Sequence, residues 1–128
     1  MNPSVAGKSY PDATFTVDPA RVGAFNTVFD DASGVPVTFV TAAEFTVLPT
    51  IVGDPELDLD FTRVLHGGQE YTFARALRSG ETLTVRTRID SIRVLGGNGL
   101  LAIVTELVGA DGEIACTARS TMIERKSA

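Results

Sequence analysis

The chain has 128 residues, 44% hydrophobic and 21% charged, with a formal net charge of −5 at pH 7. That length suits one domain spanning 1–128 with a proper core. The apolar content excludes wholesale disorder, no apolar run approaches the ~20 residues of a membrane-spanning helix, and the acidic balance argues against a nucleic-acid binder.

Residues 1–11 read as a loose lead-in, and none of them forms the apolar segment of a secretory signal. Residues 14–17 suit a short strand. Asp18-Pro19 is a helix start, because the carboxylate can cap free amides and proline at the first helical position forfeits no needed donor. Val22, Phe25, Val28 and Phe29 then recur at helical spacing, which predicts an amphipathic helix running to Asp30-Asp31 with its aromatic stripe in the core. Residues 31–36 form a loop.

Residues 38–52 are apolar on nearly every side, so a helix there has to be enclosed. Thr41 followed by Glu44 fits a capping box, and Pro49 is expected to kink or end the helix. Downstream the chain is mostly strand. Tyr71, Phe73 and Leu77 share one face over 70–77, and Arg78-Ser79-Gly80-Glu81 is a turn. Over 82–92, Leu83, Val85 and Ile89 alternate with Thr84, Arg86, Arg88 and Asp90. Gly96-Gly97-Asn98-Gly99 makes a hairpin tip, 100–108 is the next strand, and Asp111-Gly112 is a second hairpin turn. Residues 114–125 complete a meander with Ile114, Cys116, Ala118 and Met122 facing inward. Cys116, the single cysteine, is expected to be a small core residue. Without a partner for a disulfide, the chain fits a reducing cytoplasm. A buried helix followed by an antiparallel meander predicts an α+β fold, one twisted sheet wrapped around a central helix.

Chemistry is carried by few residues. His66 is the only histidine, the side chain whose ordinary pKa lies nearest neutrality. Gly67 and Gly68 beside it allow a bulge or a close approach. Arg75, Arg78, Arg86, Arg88 and Arg93 fall in a short span. They form either a solvated sheet face or a local site for the phosphates of coenzyme A or a carrier-protein prosthetic group.

The run Val64-Leu65-His66-Gly67-Gly68-Gln69-Glu70-Tyr71-Thr72-Phe73, with Arg75-Ala76-Leu77-Arg78-Ser79-Gly80-Glu81-Thr82-Leu83, resembles the LHGxQ…hrPlraGdtL pattern of the MaoC-like dehydratase N-terminal domain family. Upstream, Gly34-Val35-Pro36-Val37-Thr38-Phe39 is similar to that family's APPTF sequence leading into the central helix. The resemblance covers 14–123. It implies a hot-dog fold working as paired hot-dog units, homodimeric or heterodimeric, on (3R)-hydroxyacyl or 2-enoyl thioesters of coenzyme A or acyl-carrier protein. No cofactor or metal is expected, and no nucleic-acid or membrane partner.

Catalytic members of this class carry an aspartate and a histidine five positions apart, in a GDxNPxH motif ahead of the central helix. Here that region reads Phe29-Asp30-Asp31-Ala32-Ser33-Gly34-Val35-Pro36, which lacks the histidine and is shortened. The resemblance therefore implies an accessory hot dog that supports the substrate channel while a partner supplies the dyad. His66 and Asp31 are the catalytic candidates. Thr38, Thr41, His66, Gly67, Gln69, Arg75 and Arg78 are candidates for substrate binding, with amides of the helix amino end near 38–41 available to a thioester oxygen. Two other readings remain: a self-sufficient acyl-thioesterase or hydratase homodimer, and an acyl-thioester binding module without chemistry.

Overall fold

The computed structural model describes residues 1–29 and 34–128. Five strands, β1 (Ala13–Thr16), β2 (Val64–Phe73), β3 (Thr82–Leu95), β4 (Asn98–Val108) and β5 (Ile114–Glu124), form one sheet in the order β1-β3-β4-β5-β2. Every neighbouring pair is antiparallel. The helices are α1 (Pro19–Phe29), α2 (Val40–Glu44) and α3 (Leu48–Val52), with single 3-10 turns at Pro3–Val5, Val37–Phe39 and Phe61–Arg63.

The strand alternation builds the inner face as expected. Register places Phe73, Cys116, Leu107 and Val85 in one transverse row, and Gln69, Ser120, Ile103 and Ile89 in another. Leu83, Val85, Ile89, Leu107 and Cys116 are fully buried. Phe39, Val40, Ala43, Val47 and Ile51 pack against this face from the helical side. Each buried aliphatic side chain contributes roughly 1.5–3 kcal/mol through removal from water. The β3–β4 hairpin turns on Gly96 and Gly97, at φ 59° and 83°. Two consecutive positive φ values match the right-handed twist of the flanking strands. Ile114 departs from expectation: at 39% exposure it lies at the rim, while Cys116, Ala118 and Met122 are buried.

Further expectations are corrected. The meander holds only for β3, β4 and β5; β2 begins at Val64, not residue 70, and pairs with β5 at the far edge. The expected Arg78–Glu81 turn forms, the Glu81 amide donating to the Arg78 carbonyl at 3.2 Å. It is tied to the end of β1, with the Val17 amide donating to the Glu81 carbonyl at 2.8 Å and the Gly80 amide to the Val17 carbonyl at 2.7 Å.

The enclosed helix over 38–52 is two single turns. Pro49 sits in the first turn of α3 and has no amide to offer the Phe45 carbonyl, so the helix restarts there. Phe45 is 60% exposed, so the segment is not enclosed all round. The capping box does not form: Thr41 and Glu44 both turn toward β2.

The expected cap on α1 is present, with the Ala20 amide donating to Asp18 Oδ1 at 2.9 Å. Its apolar stripe, however, reaches the core only at Val22 and, partly, Phe25, which meets Phe39 edge-on at 5.6 Å. Val28 and Phe29 are exposed because none of the described core elements covers the last turn.

Candidate functional site

A cleft of about 310 Å³ opens between the α2–α3 pair and the inner face of β2, β4 and β5. That is at the lower end of the roughly 300–1,000 Å³ typical of small-molecule pockets, room for part of a ligand such as a chain. Phe45, Leu48, Ile51, Ile103 and Met122 supply apolar wall, and Thr41, Glu44, His66, Gln69 and Ser120 form a polar patch.

The patch depends on a break in strand alternation. Residues 66 and 69 of an ideal strand would face opposite sides. The pairing slips between His66 and Gly68, leaving Gly67 as the extra residue of a β-bulge. Across the bulge, His66 lies opposite Met122 and Gln69 opposite Ser120, so both turn to the cleft. A Cβ at Gly67 would come within 2.8 Å of Ile123 Cδ1 and 3.0 Å of its Cγ1. This tight approach makes glycine the fitting residue at the slip.

At the centre lies the Glu44 carboxylate, at the end of α2. Tyr71 donates its hydroxyl to Oε1 at 2.7 Å and Gln69 its side-chain amide to Oε2 at 3.2 Å, while the single Ser120 hydroxyl proton lies within reach of Oε2 at 2.9 Å and of Gln69 Oε1 at 2.7 Å. Thr41 Oγ1 is 2.8 Å from the Tyr71 hydroxyl. His66 Nε2 lies 3.1 Å from Gln69 Oε1. The amide orientation of Gln69 is set by Glu44, since the flipped form would press carbonyl oxygen against carboxylate. Burial, reinforced by the Glu44 charge, pushes the Tyr71 phenol up to about 12. Burial likewise pushes the Cys116 thiol up to about 11, with Glu44 adding to it. A thiol held in its neutral form is a poor nucleophile.

Thr41, His66 and Gln69 are thus brought together in the cleft, with Gly67 at the bulge beside them. Thr38 lies elsewhere, in a shallow groove between α1 and α2 that Thr41 also borders. Arg75 points away into a two-armed ion pair with Glu81, at 2.9 and 2.7 Å. The Arg75 guanidinium holds the Glu81 carboxyl below the usual carboxylate range. Arg78 is exposed at the neighbouring turn. Arg88 contacts Glu106 and Asp90 at 3.8 and 3.9 Å, in the charged array that also pairs Arg119 with Asp90 at 2.8 Å. Asp31 lies outside the described residues.

Glu44 and Ser120 were not singled out as site residues from sequence, although signals existed. Glu44 is the single charge in an apolar run, Val40 to Leu48, and Ser120 is the one hydroxyl at an inward position between Ala118 and Met122. A charge or hydroxyl placed inside such a pattern demands hydrogen-bond partners.

One curled antiparallel sheet packed over short helices, with a cleft between them, defines a hot-dog fold. The structure superposes on a chain of the HadBC (3R-hydroxyacyl-ACP dehydratase) complex from Mycobacterium tuberculosis with a TM-score of 0.79 at 19% identity, covering 93% of this chain and 96% of that one. A MaoC-like dehydratase from Phytophthora capsici matches at 0.78 and 20% identity, over all of this chain and 52% of that one. In sequence, the family described as FAS1-like, dehydratase domain region, matches residues 18–118. A UPF0336 protein of Streptomyces coelicolor is 32% identical over 98% of this chain and 95% of its own length. The chain belongs to the FAS1-like dehydratase-region family and shares the hot-dog fold of the MaoC-like dehydratases. The Streptomyces alignment runs over 143 positions against 128 residues here, a difference of 15, so that relative carries at least 15 residues without a counterpart in this chain.

Proposed function

We propose that this chain is an accessory hot-dog subunit of an (R)-specific enoyl-thioester hydratase or 3-hydroxyacyl-thioester dehydratase, housing the acyl chain while a partner supplies the acid–base pair. The observation that carries the reading is the bonding of the sole histidine. Its ring meets the amide of Gln69, a neutral group that cannot serve as the carboxylate of an acid–base dyad. Hydration of an enoyl thioester needs a base to activate water and an acid for the α-carbon, acting in concert. The apolar wall of the cleft suits an acyl chain, and the shortened segment before α2 is where the dyad-bearing motif stands in catalytic relatives. Support for a partner comes from the HadBC complex, whose name describes a two-component dehydratase of hydroxyacyl-ACP. Among the described residues no strand pairs with the outer edge of β2, where Leu65 is half exposed, and such an edge offers backbone groups to a second hot dog.

One observation favours a second reading. Glu44 and His66 both line the cleft, bridged by Gln69, and in a homodimer they are the groups a self-sufficient hydratase would use. Reconstitution with a hot-dog subunit that carries the aspartate–histidine motif separates the two. On the accessory reading, turnover by the complex is lost when the partner's motif histidine is replaced by alanine and is retained, within a few-fold, in His66→Ala of this chain. The reverse pattern overturns it.

A further inference from the structure

Glu44 stands in an apolar cleft with no cation beside it: among the described residues no lysine or arginine comes within 4.0 Å of its carboxylate. Neutral donors hold it from three directions, Tyr71 and Gln69 on β2 and Ser120 on β5. An ionised carboxylate offers about four acceptor positions. Four contacts reach it from three side chains: Tyr71 and Gln69 on Oε1 at 2.7 and 3.4 Å, and Gln69 and Ser120 on Oε2 at 3.2 and 2.9 Å. Ser120 has a single proton but lies 2.9 Å from Glu44 Oε2 and 2.7 Å from Gln69 Oε1. That proton can serve only one of the two, so the Glu44 carboxylate and the Gln69 carbonyl together keep acceptor capacity that these donors leave unfilled.

A plain alkyl chain entering this cleft would remove water from those acceptors and return nothing, which is costly for a charged group. A chain bearing a hydroxyl would replace the water with a donor. Resting on the acyl-thioester reading above, we propose that Glu44 is a specificity-determining residue that makes the cleft prefer an acyl chain carrying a hydroxyl group, remote from the thioester, over the bare alkyl chain of the same length. The acceptor is held in place before the ligand arrives, because its donors come from two strands and its backbone from α2. The hydroxyl therefore needs no rearrangement of the protein to bind, and it costs the ligand less than an unsatisfied carboxylate would.

The test uses the purified full chain and straight-chain S-acyl-pantetheines of increasing length, each made with and without a terminal hydroxyl, with binding followed by calorimetry. At the chain length that reaches Glu44, the hydroxylated member binds about tenfold more tightly or better, as expected for a hydrogen bond to a charged acceptor. Glu44→Leu removes that preference or reverses it. Glu44→Gln, which keeps the shape and one acceptor oxygen, retains a reduced preference and serves as the readout where the leucine variant does not fold. Equal binding of both members at every length, or a preference unchanged in Glu44→Leu and Glu44→Gln, overturns the proposal while leaving the accessory reading intact. Binding of no thioester at all overturns both.

Discussion

The Gly67 bulge yields a prediction whose sign reverses with a single neighbouring side chain. Gly67 does not have a positive φ, so alanine is conformationally allowed there. Replacing glycine by alanine at a compatible position ordinarily stabilises by about 0.4–1 kcal/mol, by restricting the unfolded chain. Here the new methyl would lie 2.8 and 3.0 Å from Ile123 Cδ1 and Cγ1, while the Thr121 carbonyl at 3.5 Å is an ordinary neighbour. The obstacle is thus one flexible side chain, and driving it aside falls in the roughly 1–3 kcal/mol range for overpacking. Gly67→Ala should therefore destabilise the protein by about 0.5–2 kcal/mol net. In an Ile123→Ala background the obstacle is gone, and the same substitution should stabilise by about 0.4–1 kcal/mol. Urea denaturation of the four proteins in the cycle measures both values and their difference. An equal cost of Gly67→Ala in both backgrounds would refute the argument that Ile123 is what requires glycine at the slip.

Tyr71→Phe deletes the 2.7 Å donor to Glu44 and should cost about 1.5–3 kcal/mol of stability, the worth of a hydrogen bond to a charged group; urea midpoints check it. In the parent, both tyrosines ionise above their usual value, Tyr71 at about 12 because of burial and Glu44, and Tyr10 higher because of burial and Asp54. The unfolded chain loses these protons near pH 10 and the folded one holds them, so stability should fall as pH rises from about 10 to 12. Ultraviolet titration showing full tyrosinate at pH 10 in the native protein would contradict this. Cys116, buried and raised to about 11, should resist a thiol reagent at pH 8 until denaturant is added, whereas stoichiometric labelling of the native protein would show that the strand opens.

Much of the sheet could be read from alternation, because β3, β4 and β5 bury one face and a period of two follows directly. The same reasoning found the Gly-Gly hairpin and the Asp18 cap, where one local rule decides the structure. It failed where two elements compete. Glu44 satisfies a helix-capping pattern in sequence, yet the carboxylate gains three donors by turning to β2 and β5, none of them near it in the chain. The break between α2 and α3 has a similar origin. Pro49 was visible as an interruption, but that it would start a new turn and leave Phe45 exposed depends on how the segment lies over the sheet. The edge position of β2 was beyond local patterning altogether, since its partner β5 lies fifty residues downstream in sequence. Of the candidate site, His66, Gln69 and Thr41 were found through the family pattern. Glu44 and Ser120 each interrupt an apolar pattern in the sequence, but that they meet in one patch depends on the strands being in register.

Whether the chain performs chemistry alone is measured most directly by turnover of crotonyl-thioester by the purified protein. Followed by loss of enoyl absorbance, the chain by itself should show no hydration above the buffer rate, with activity appearing on addition of a hot-dog partner that carries the aspartate–histidine motif. Sustained hydration by the pure chain, abolished in His66→Ala without loss of fold, would contradict the accessory assignment and place the catalyst in the Glu44–Gln69–His66 cleft.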